Sequence, residues 1–91
     1  MSAQSKITQT QVLDAISRAA LTLDQADPVQ AGLQQLLNEF RRTLLQTNGQ
    51  SATTVLYQSK VASYVLQHPA TYPATVSKLT TLLSQFVHSV A

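Results

Sequence analysis

The stretch "DPVQAGLQQLLNEFRRTLLQTNG", residues 27–49, decides how this chain folds. Asp27 before Pro28 is a start signal, because the carboxylate can cap the free N–H groups of a first turn and proline is already shaped for the first helical position. Behind it, Val29, Leu33, Leu36, Leu37, Phe40 and Leu44 fall within about 100° of arc at 100° per residue, an amphipathic helical stripe. Gly32 lies just off that stripe, where a neighbouring helix could cross closely. Asn48 and Gly49 end the element, since both tolerate the left-handed conformation of a helix exit. The spacing predicts a helix over residues 28–47.

The same period continues on both sides. Val12, Ile16, Ala19 and Leu23, widened by Leu13 and Ala20, predict a helix over 10–23, with Asp14 and Arg18 paired i,i+4 on its polar side. Residues 1–8 carry no period and are expected to form a loose tail. Ser51 can cap a third helix over 52–67 whose apolar arc is broad. Val55, Ala62 and Leu66 form one side of it, Val61 and Val65 its middle, and Tyr57 and Tyr64 its far edge. Leu56 points to the wet face, and Leu45 leaves the helix 2 stripe in the same way. The two leucines flank the Asn48-Gly49 turn and, with Tyr57 nearby, could make one apolar patch.

In "QHPATYPATV", residues 67–76, a histidine, a tyrosine and two prolines crowd ten positions. Pro69 pushes His68 out of helical geometry and stops the third helix. Pro73 suits the first turn of a fourth helix over 73–90, and Tyr72 and Val76 have the spacing of a hydrophobic staple. Val76, Leu79, Leu83, Phe86, Val87 and Val90 form the sharpest stripe in the chain. Four helices joined by short connections predict an all-α fold, an antiparallel up-down four-helix bundle.

Composition narrows what such a bundle can do. Only 11% of the 91 residues are charged, where about 25% is usual, so Gln, Ser and Thr must wet the surface. The net charge of +2 reflects few acids rather than a basic face, which argues against nucleic-acid binding. With no cysteine there is neither a disulfide nor a thiolate metal site. No apolar run approaches the roughly 18–20 residues of a membrane span, and the first residues lack a secretory profile, so the cytoplasm is the expected location.

Candidate chemistry is sparse. The acids Asp14, Asp24, Asp27 and Glu39 do not form an evident carboxylate pair, and two glycines cannot build a phosphate loop. His68 and His88 would sit at opposite ends of the bundle, which disfavours a shared metal site. No enzyme activity, cofactor or metal is expected. Arg41 and Arg42 are the best basic feature, with Arg42 within i,i+3 reach of Glu39. A pair of arginines there could touch an anionic membrane surface.

The layout from Val12 to Val90 resembles the immunity proteins of producers of class IIa (pediocin-like) bacteriocins, of the enterocin A immunity type. The resemblance rests on "VLDAISRA…DPVQAGLQQLLNEF", a third helix "TVLYQSKVASYVL", and a last helix "SKLTTLLSQFVHSV" behind a tyrosine-containing loop. It implies a cytosolic bundle, partly membrane-associated, that acts once the bacteriocin has engaged its receptor, the membrane part of the mannose phosphotransferase system. Bound from inside, the immunity protein blocks the lethal pore. The resemblance also assigns discrimination to the C-terminal half, here helices 3 and 4 and the 67–73 corner. Tyr64, His68, Tyr72, Lys78 and His88 are the partner-binding candidates, with Arg41 and Arg42 as membrane-surface contacts. A monomer is expected under this reading. The rival is a non-enzymatic adaptor or oligomerisation module of a phage or regulatory system, with part of helix 3 as an intersubunit surface.

Overall fold

A computed structural model describes residues 8–48, 51–69 and 71–90, except for the side chains of Ser51, Ser89 and Val90. Four helices follow one another: α1 (Gln9–Thr22), α2 (Pro28–Gln46), α3 (Ser51–Gln67) and α4 (Ala74–Val90). They close a ring in which α1 packs on α2 and α4, and α3 on α2 and α4. Contacts between α2 and α3 run in opposite numerical order, Thr47 to Thr53, Thr43 to Tyr57 and Val29 to Tyr64. Across the ring, Thr22 at the C-terminal end of α1 hydrogen-bonds Thr75 in the first turn of α4. The fold is thus the antiparallel four-helix bundle that the periodicity predicts.

The helix ends follow local chemistry. Asp27 accepts from the Val29 N–H at 3.0 Å and Pro28 opens α2. Asn48 takes a φ of 56°, the left-handed exit; Gly49 lies outside the described residues. Thr8 is the first departure from the expected pattern. It belongs to the fold as the N-cap of α1, its side chain and that of Gln11 bonding each other's backbone N–H groups at 3.2 and 2.8 Å. The rest of the proposed tail, residues 1–7, lies outside the described residues, as do the side chains of Ser51, proposed as a cap, and of Val90 in the last stripe. Pro73 precedes α4 instead of entering its first turn, and its carbonyl accepts from the Val76 N–H at 3.0 Å.

The core runs the length of the ring: Val12, Ile16 and Ala19 from α1, Leu33, Leu37, Phe40 and Leu44 from α2, Tyr57 and Val61 from α3, and Val76, Leu79, Leu83 and Phe86 from α4. Burying each large apolar side chain is worth about 1.5–3 kcal/mol relative to leaving it in water. On α3 the buried face is rotated from the one expected. Val55 and Leu66 are 39% and 80% exposed, while Thr53 and Thr54 are buried. The Tyr57 ring causes the rotation by lying flat on Phe40 at 4.9 Å with 5° between planes. Its hydroxyl donates to Glu39 Oε2 at 2.6 Å. The Thr54 side chain therefore faces the core, where its Oγ1 has no hydrogen-bond partner.

Candidate functional site

One end of the bundle holds both the α1–α2 and α3–α4 connections, and polar side chains lace them together. Gln30 accepts from the Asp24 N–H at 2.8 Å, and its amide donates to Asp27 Oδ2 and to the Thr71 carbonyl, each at 3.4 Å. Gln34 donates to the Ala20 carbonyl at 2.7 Å. Three peptide groups near helix ends and in loops, the Asp24 N–H and the Thr71 and Ala20 carbonyls, are satisfied by side chains in this way, as helix termini require.

Against this end sits a cluster of three candidates. The Tyr64 ring lies over Gly32, where any side-chain carbon would overlap the phenol oxygen and approach Cζ to 3.2 Å. The close crossing expected at Gly32 is therefore formed by an aromatic ring. It lets the Tyr64 hydroxyl donate to the Val29 carbonyl at 2.7 Å. One turn on, the His68 ring stacks on Tyr64 with centroids 4.2 Å apart and 23° between planes. His68 Nδ1 lies 3.1 Å from the Tyr64 carbonyl. A carbonyl only accepts, so Nδ1 is the donor in this contact. Tyr72, reached after the Pro69 stop, turns back so that its hydroxyl donates to the His68 carbonyl at 2.5 Å. The phenol thereby caps a carbonyl that the end of α3 leaves open. The Tyr72 pKa is raised above its ordinary value, first by burial of the phenol, then by the neighbouring Tyr64 and Asp27 charges.

The other candidates lie elsewhere. Lys78 is exposed on α4, in a groove between α1 and α4 with Asp14, Arg18 and Leu82. His88 is exposed in the last turn of α4, at the far end of the bundle. Arg41 and Arg42 are exposed on α2, and Arg41 shares a shallow groove with Leu21, which is 84% exposed. The expected Arg42–Glu39 pair does not form, and Glu39 accepts from the Tyr57 hydroxyl. Among the described residues the one ion pair is Arg18 to Asp14, at 2.8 Å as the i,i+4 spacing predicts. Leu45 and Leu56 are exposed as expected, but Tyr57 is buried and cannot extend a patch between them.

Two phenol hydroxyls are thus committed as donors to backbone carbonyls, the Tyr64 and Tyr72 rings are half-buried, and the His68 side chain is exposed. Such a cluster can offer stacking and hydrogen bonding to a ligand. Among the described residues no group of three or more His, Asp or Glu could hold a metal ion, and no helix is long and apolar enough to cross a membrane. The sequence singled out Tyr64, His68 and Tyr72 but carried no signal for Gln30, whose role depends on loops that meet only in the fold. No protein-family profile, curated protein or solved structure matches this chain.

Proposed function

We propose that this protein is a binding protein of the bacteriocin-immunity kind, which protects a cell by engaging, from the cytosolic side, a membrane receptor occupied by a class IIa bacteriocin. The observation that carries the reading is the Tyr64–His68–Tyr72 cluster at the α3–α4 corner of a four-helix bundle. It combines two half-buried phenol rings with an exposed imidazole, the composition of a recognition patch. It also lies in the half of the chain to which the family resemblance assigns discrimination. Arg41 and Arg42 beside exposed Leu21 and Leu45 suit contact with an anionic lipid surface, worth about 1 kcal/mol per basic residue.

The test is protection. A sensitive strain expressing the chain is expected to survive at least one class IIa bacteriocin, and His68→Ala with Tyr72→Ala to lose that protection while the bundle stays helical by circular dichroism. Unchanged killing across a broad panel overturns the reading. A second reading, an adaptor or oligomerisation module, is favoured by the apolar exposure of Val55 and Leu66 on α3. Self-association without protection of any strain is the result that would select it.

A further inference from the structure

The outward side of α3 carries an ordered pattern. Val55, Ser59, Ala62 and Leu66 fall within about 60° of arc at 100° per residue, so they form one seam along the helix. Val55 and Leu66 are 39% and 80% exposed, Ser59 is exposed and Ala62 is half-buried. The order along the seam is large, small, small, large, and it is symmetric about the point between Lys60 and Val61. Turned by a two-fold axis through that point, Val55 of one copy meets Leu66 of the other, and Ser59 meets Ala62. That self-complementarity is what a closed two-fold interface demands. The small residues at the centre permit helix axes to approach to about 8 Å, the near end of the usual range.

Charge does not oppose that partner. Identical molecules with a net charge of +2 repel wherever their cations face one another. Arg41 and Arg42 are exposed on α2, and Lys78 lies in the groove between α1 and α4. The seam itself bears no charge, and the one cation of α3, Lys60, is turned aside with Nζ 4.9 Å from the Tyr57 ring centroid.

We infer that this protein self-associates through α3 as an antiparallel two-fold dimer, with the Val55–Leu66 seam at its centre. The inference deepens the second reading by naming its intersubunit surface and symmetry, and departs from the monomer expected of the sequence. Tyr64 and His68 lie on the opposite, α2-facing side of α3, so the dimer leaves the corner cluster open. One seam of four side chains falls short of the roughly 800 Å² per partner of a standard interface. The dimer is therefore weak and in exchange with monomer.

Sedimentation equilibrium from low micromolar to near-millimolar protein tests this. The wild-type chain is expected to shift from monomer toward dimer, and Leu66→Glu to remain monomeric throughout. Leu21→Glu, equally exposed but on α1, is the control and is expected to dimerise like wild type. Ala62→Cys with a short bismaleimide is expected to give a covalent dimer, because the two copies of residue 62 lie about 4.5 Å apart along the axes. A wild-type protein that stays monomeric over the whole range overturns the proposal. So does a Leu66→Glu variant that associates normally, or a dimer that Ala62→Cys fails to cross-link. None of these results depends on the killing assay.

Discussion

Replacing Gly32 by alanine should show which force sets the α2–α3 crossing. In an open helix the change is favourable by about 1 kcal/mol, since alanine has the higher helix propensity. Here the new carbon would overlap the Tyr64 hydroxyl, with Cζ already 3.2 Å away, so the ring must leave its seat. Its hydrogen bond to the Val29 carbonyl is then lost, at a cost of about 1 kcal/mol. Uncovering part of the ring and the helix beneath it adds roughly 1 kcal/mol more, at about 25 cal/mol per Å² over a few tens of Å². Gly32→Ala is therefore expected to destabilise the protein by about 1 kcal/mol, a fall of about 4–8 °C in Tm. In a Tyr64→Ala background the obstacle is gone and the same substitution should stabilise by about 1 kcal/mol, a coupling of about 2 kcal/mol between the sites. Tyr64→Phe, which removes only the oxygen, should fall between. Urea unfolding followed by circular dichroism measures all of these. Equal stabilisation in both backgrounds would refute the argument that Tyr64 requires a glycine beneath it.

Three further outcomes are expected. Thr54→Val, which keeps the shape of a buried side chain and removes its unpartnered hydroxyl, should raise stability by about 1 kcal/mol in the same urea assay; a loss would mean that the hydroxyl is bonded. Asp27→Ala should cost about 1 kcal/mol by leaving the Val29 N–H uncapped, whereas Asp27→Asn should retain most of the stability. For Tyr72, whose folded pKa is raised, the folded state holds its proton more tightly than the unfolded chain does. Its contribution is complete below the unfolded value of about 10 and is lost as pH rises through the folded value. Stability measured across that alkaline range should fall less steeply in Tyr72→Phe than in wild type.

Helices α1, α2 and α4 were legible because their apolar residues gather on one side, so periodicity and facing carry the same information. On α3 they separate. Val55, Leu56, Tyr57, Val61, Val65 and Leu66 are distributed almost all round the helix, and spacing alone could not say which of them turn inward. Phe40 stacking, the Glu39 acceptor and the notch at Gly32 make that choice, and each belongs to α2. Burial of the two threonines and exposure of Leu66 follow from it. The corner was half legible. Its prolines and aromatics announce a turn, but the Tyr72 phenol closing the His68 carbonyl requires the chain to fold back on itself. Arg42 shows the same limit, since spacing offers it Glu39 at i,i+3 and in the fold Glu39 bonds a tyrosine from another helix.

The lacing by Gln30 and Gln34 bears on how the corner would choose among visitors. Side chains that are still free when a partner arrives each forfeit about 0.5–1.5 kcal/mol on being immobilised. Tyr64 and Tyr72 are already tethered by their hydroxyls, and the loop beneath them is fastened to its neighbour. A surface set beforehand has little freedom to remould itself around a poor match. Selectivity here would come from rigidity, with closely related guests separated by contour.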